Sequence, residues 1–169
     1  MKKTMFKGNK ISLALTAVCF IAWGTTVGQT KDPLLFPKDN FTVETKTVKT
    51  SSGEKQVTYH SYMHIPYVAN PVDKDYQSLN ISVPVKVDGA TVDPTNAPIL
   101  FVIGVGGYMS VNNSRTVSGN SRGNADLAIA AGYVVVSPGC RGRDNKAADG
   151  TWYGKAPAAI VDLKAAVRY

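Results

Sequence analysis

The 169-residue chain has two cysteines, two histidines and, ahead of Asp32, no acidic residue at all. Each shortage removes a class of chemistry. Cys19 sits in an apolar run and Cys140 is alone in the rest of the chain, so residues 29–169 can form no internal disulfide and must rely on an ordinary core. His60 and His64 are four apart, ligand spacing on a helix, but their segment alternates polar and apolar residues like a strand. Four strand residues span roughly 13 Å, too far for two nitrogens that must each lie about 2 Å from one zinc. Both are read as sheet-surface histidines, and no metal or other cofactor is expected. Gly-Lys-Ser and Gly-Lys-Thr are missing, which excludes a phosphate loop.

The acid-free start carries Lys2, Lys3, Lys7 and Lys10, an apolar stretch from Ile11 to Trp23, and a small, polar exit through Gly24, Thr25, Thr26 and Gly28. At about 13 residues the apolar stretch is shorter than the roughly 20 a spanning helix requires. This layout is that of a signal peptide over residues 1–28, cleaved before Gln29. It predicts a periplasmic or secreted protein whose only membrane contact is transient and made through that peptide. Without the four lysines the charge falls from +7 to +3, with 15 basic residues against 12 acidic ones. The basic residues that remain near one another, Arg115, Arg122, Arg141, Arg143 and Lys146, lie in loop sequence. They read as solvated surface or as a rim attracting anionic or phenolic substrates; nucleic acid is not an expected partner.

From Phe41 to Thr50 and again from Gln56 to Ile65 polar and apolar residues alternate around Ser51-Ser52-Gly53, which predicts an antiparallel hairpin. A third strand is expected over Leu79–Val87, with a turn at Asp88-Gly89. The pattern then changes to an apolar strand (Ile99 to Ile103), a short helix (Asn124 to Ala131), a second apolar strand (Tyr133 to Val136) and a helix from Ala156 to Tyr169. Fully apolar strands alternating with helices imply an α/β fold, with parallel strands covered on both faces joined to the antiparallel ones in a mixed sheet. Ile160, Leu163, Lys164 and Val167 recur at helical spacing and predict a buried stripe. Between Gly139 and Lys155 lies a connection of about 17 residues, long enough to be suspected of function.

The sharpest functional signal is where Ile99–Ile103 empties into Gly104-Val105-Gly106-Gly107-Tyr108. Glycines at a strand end leave main-chain N–H groups open to a ligand or a developing negative charge, although a glycine pair also serves as a plain tight turn. A dinucleotide fingerprint is excluded, because Met109 takes the place of the third glycine and no helix pattern follows. Gly119-Asn120-Ser121-Arg122-Gly123 matches a nucleophile elbow in letters, yet polar loop precedes it where the elbow needs a buried strand, and no histidine follows. Cys140 has cations beside it that favour a thiolate, but lacks a histidine after it; it reads as packing near the site. Trp152 and Tyr153 are able either to stack on an aromatic ester or to anchor their loop.

Taken together, Ala97–Tyr108, Gly132–Arg143 and Lys155–Tyr169 resemble the α/β-hydrolases and, more narrowly, the bacterial tannase-type esterases, serine hydrolases that cleave galloyl and related phenolic esters. The resemblance runs from about Tyr59 to Tyr169. It implies that residues 29–169 are the N-terminal part of a truncated α/β-hydrolase fold, and that the Gly107 amide, with Gly106 beside it, donates to the oxyanion. Tyr108, Arg141 and Arg143 become the candidate substrate contacts, with a loop clamp the other reading of the two arginines. The serine elbow, acid and base are expected beyond Tyr169, so this chain alone is expected to be inactive, with a small-molecule ester as substrate of the whole enzyme. A peptidase of the same fold and a noncatalytic exported binding module are the alternatives.

Overall fold

The structure is a computed structural model that describes residues 32–104, 106–113 and 125–169. The expected signal peptide, Arg115, Arg122 and the elbow-like match at Ser121 lie outside those residues. Among the described residues no helix is long and apolar enough to cross a membrane.

Strands β1 (Thr42–Thr50) and β2 (Gly53–Pro66) form the expected hairpin, with Thr50 opposite Gly53 and Thr42 opposite Ser61. β2 continues antiparallel into β3 (Ser78–Val87), which turns at Asp88-Gly89, both with positive φ (51° and 80°), into the two-residue β4 (Ala90–Thr91). Two consecutive left-handed residues make the mirror-image turn that suits the right-handed twist of a hairpin, and Asp-Gly is a favoured pair for it. A single 3-10 turn, Pro94–Asn96, leads into β5 (Ile99–Phe101); helix α1 (Ala125–Ala130), strand β6 (Val134–Pro138) and helix α2 (Ala156–Arg168) complete the order.

The sheet runs β1-β2-β3-β6-β5. β6 lies antiparallel to β3 and parallel to β5, so the hairpin half and the α/β half share one ladder. The expected mixed sheet is present. Its two faces bury different helices. Val135 packs with Ile129 and Ala130 of α1 and with Val57 and Tyr59 of β2, while its neighbour Val136 packs with Ala166 of α2 and with Tyr62, Ile65 and Leu79. Adjacent strand residues point to opposite faces, so β6 must be apolar on both sides. Lys46 of β1 pairs with Asp126 in the first turn of α1, where an acid also meets the positive end of the helix.

Two expectations are corrected. The apolar strand ends earlier than Ile103: pairing stops at Phe101, after which Val102 donates one last bond to the Val136 carbonyl (2.8 Å) and Ile103 is 56% exposed. In α2, Ile160 and Val167 are exposed and Lys164 also faces out; Ala159, Asp162 and Ala166 are the buried positions. Small alanines let the helix lie close to the sheet, and Asp162 is drawn inward by a cation described below. Val167 instead borders an apolar cavity of about 500 Å³ with Phe36, Ile81, Phe101 and Val136.

Candidate functional site

Because β5 and β6 are parallel, both chains leave the sheet at the same edge, Gly104 from one and Gly139 from the other. The two departing segments pair again: Val111 and Cys140 exchange backbone bonds of 2.9 and 2.8 Å. Between them the glycine loop makes a tight turn in which the Met109 N–H donates to the Gly106 carbonyl (3.1 Å), with Gly107 and Tyr108 both at φ 59°. Glycine reaches that conformation freely, whereas Tyr108 adopts it against its own preference, a strain the surroundings must hold. Gly106, Gly107 and Tyr108 are exposed, their N–H groups donate to no described residue, and nothing lies within 4 Å of where a side chain would start on either glycine. Exposed N–H groups with no partner among the described residues, at the end of a strand, can receive an anion or a developing oxyanion.

The loop is gripped by residues 139–145. Arg143 N–H donates to the Tyr108 carbonyl (2.8 Å), and the Asp144 carboxylate accepts from both the Ser110 N–H (2.6 Å) and the Ser110 hydroxyl (2.8 Å). Partial burial pushes the Asp144 carboxyl up, but the Ser110 bonds outweigh it and, with Arg143 nearby, hold it below the usual carboxylate value. Gly142 sits so close that any Cβ there would collide with Ser110 N and the Met109 carbonyl carbon. This glycine is required by close approach.

Beneath the loop, Asp162 of α2 is 1% exposed and accepts from Arg141 three times: from its backbone N–H (2.9 Å), Nε (2.9 Å) and a terminal nitrogen (2.8 Å). Gln77 Nε2 adds a fourth bond (3.0 Å). Hydrogen bonding to Asp162 raises the Arg141 pKa further, against some desolvation, and the planar fork holds the loop in one orientation. Of the two readings of Arg141, the guanidinium takes the position of a loop clamp. Arg143 is exposed beside Tyr108, so the loop brings these two candidates together. Tyr67, nearly buried, donates to the Gly139 carbonyl (2.9 Å), and burial pushes its own pKa up.

Cys140 is fully buried, and burial raises its thiol to about 11 despite a backbone bond that opposes the shift. The flanking cations therefore do not make a thiolate: Arg141 is neutralised by Asp162, and desolvation governs. Tyr153 anchors the long connection by donating to Asp73 (2.8 Å), a bond that is the main reason its pKa rises to about 12. Trp152 pairs with Lys146, whose ammonium lies 5.1 Å from the ring centre. His60 stacks on Phe41 on the sheet surface at 3.9 Å, and no metal-binding group of acids, cysteines and histidines occurs among the described residues. Asp144, Asp162 and Gly142 were missed in the sequence. An exposed aspartate in a loop and one in a helix have no local signature, since their partners are 34 and 21 residues away.

Solved structures resemble this chain over most of its length. A tannase from Fusobacterium nucleatum superposes with a TM-score of 0.65 at 40% identity, over 79% of this chain and 28% of its own. The tannin acyl hydrolase of Lactobacillus plantarum superposes with a TM-score of 0.63 at 34% identity, over 82% of this chain and 31% of its own. The chain is tannase-like over most of its length. Another tannin acyl hydrolase with the same coverage and a TM-score of 0.64 was solved in complex with ethyl gallate. No family model and no curated protein matches the chain. The tannase-like chain thus spans a little under a third of the length of the solved tannases it resembles.

Proposed function

We propose that this chain is the oxyanion-loop portion of an exported serine esterase that hydrolyses phenolic, galloyl-type esters. Its likeness to tannases at 34–40% identity supports this reading, one relative having been solved with ethyl gallate. The observation that carries it is the exposed turn at Gly106-Gly107 after β5, whose N–H groups donate to no described residue. In this reading the sheet is the first half of an α/β-hydrolase sheet, and the serine, acid and histidine belong to polypeptide outside Met1–Tyr169. The serine oxygen attacks the ester carbonyl as its proton passes to the histidine, and the Gly107 N–H and a second amide stabilise the resulting oxyanion. The alcohol then leaves with a proton from the histidine, and water releases the acyl group by the same steps. One well-aimed donor contributes on the order of 3 kcal/mol to the transition state. The four lysines and the apolar stretch of residues 1–28 support export.

The test is hydrolysis of ethyl gallate by the full-length gene product beside the 169-residue chain alone. The full product is expected to release gallate and the short chain none; a full product inert toward phenolic esters but active on dipeptide amides overturns the proposal. Export is tested by the N-terminus of the mature protein, expected at Gln29.

A further inference from the structure

We infer that Asp144 is a positioning residue for the glycine loop, clasping Ser110 so that the exposed turn at Gly106 and Gly107 keeps one orientation. The inference rests on the esterase reading of that loop.

The loop needs an external restraint. Its turn places a tyrosine, Tyr108, at φ 59°, and nothing lies within 4 Å of where a side chain would start on either glycine. Three contacts set its height and tilt. Arg143 N–H fixes the Tyr108 carbonyl, Gly142 sets the distance to Met109 and Ser110, and Asp144 receives both donors of Ser110. The first two are backbone contacts that any residue but proline at 143 and only glycine at 142 preserve. The Asp144 carboxylate is the one side-chain contact of the three, and its two oxygens take the two Ser110 donors separately, so it fixes an orientation as well as a distance. Asn145, which accepts from Gly142 N–H (2.7 Å), keeps residues 142–145 in a closed turn and aims Asp144 at Ser110. The clasp acts two residues along the chain from Tyr108 and three from Gly107. A misaimed N–H loses transition-state stabilisation without altering how the ester is held.

The experiment compares the full-length gene product with its Asp144→Ala, Asp144→Asn, Ser110→Ala and Asp149→Asn variants in steady-state ethyl gallate hydrolysis, with amide hydrogen exchange on the same proteins. Asp149 is the control: it lies in the same connection and is exposed, and its carboxylate accepts from Thr151 N–H (2.8 Å) instead of from Ser110. Asp144→Ala is expected to lower kcat at least tenfold with KM within twofold, and to speed exchange at the Arg143 amide at least tenfold while leaving Val134 unchanged. Asp144→Asn and Ser110→Ala, which each keep one of the two bonds, should fall between it and wild type; Asp149→Asn should match wild type. Should Asp144→Ala not fold, the two milder variants carry the test. Unchanged kcat with unchanged Arg143 exchange overturns the clasp, as does a rise in KM alone, which would make Asp144 a substrate contact. A wild-type protein inert toward the ester instead sinks the esterase reading, and the exchange data then decide the clasp by themselves.

Discussion

At the residue scale the tannase-like chain depends on one buried charge. Asp162 is 1% exposed, so Arg141 and Gln77 take the place of solvent as its partners, and losing the partnership leaves a buried polar group unpaired. Asp162→Ala should therefore destabilise the fold by about 3–5 kcal/mol, the range for breaking a buried pair, read as a drop in the urea midpoint at constant slope. An effect under about 1 kcal/mol, typical of exposed pairs, would mean that water reaches the site. Cys140 gives a second prediction. With its pKa raised to about 11 from an ordinary 9.0, the thiol favours the folded state below pH 9, and that contribution is lost as pH climbs toward 11, because the unfolded thiol ionises first. In a Cys19→Ser background, labelling by a disulfide reagent at pH 8 should be at least about tenfold slower in native protein than in denaturant, because the raised pKa cuts the thiolate fraction about a hundredfold while making the remaining thiolate about tenfold more nucleophilic. Equal rates would show the thiol to be exposed.

At the element scale, α1 and α2 bury different kinds of surface. Ile129 in α1 is completely buried between Val57, Tyr59 and Val135, so Ile129→Ala should cost about 2–5 kcal/mol as a cavity. In α2, Ile160→Ala should stay within about 0.5 kcal/mol in this chain, as expected for an exposed side chain away from the core. Both are measured by chemical denaturation. The contrast shows where helical spacing misleads. Ile160, Leu163 and Val167 form a regular apolar row, but apolar residues mark a buried face only if nothing stronger turns the helix. Here Asp162 is turned inward by Arg141, and Ala159 and Ala166 follow it to the sheet. The hairpin β1-β2, by contrast, was legible to within a few residues, because alternation and a Ser-Ser-Gly turn are local properties.

At the scale of the whole molecule, the edge strand β5 pairs on one side with β6 and has no partner on the other among the described residues. Ile99 on it and Ile103 just beyond its end are exposed, and Val167 borders an open apolar cavity on the same side of the sheet as α2. An apolar edge invites pairing with other chains. The 169-residue chain expressed alone is expected to self-associate, and Ile103→Lys should raise its soluble, monomeric fraction in size-exclusion chromatography. A wild-type chain that already elutes as a clean monomer would show the edge to be protected.

Local chemistry in the sequence was enough to determine the β1-β2 hairpin, the third strand, the turn at Asp88-Gly89 and the α/β change of pattern near Ile99, though not where β5 ends, since each follows from alternation, side-chain size or backbone freedom within a few residues. Only the tertiary structure decided that β6 joins β3 to β5, which face of α2 is buried, that Arg141 is neutralised by Asp162 and that Asp144 reaches Ser110. Those outcomes depend on groups far apart in the chain, whose pairing energies exist only once the sheet has brought them together and excluded water from between them.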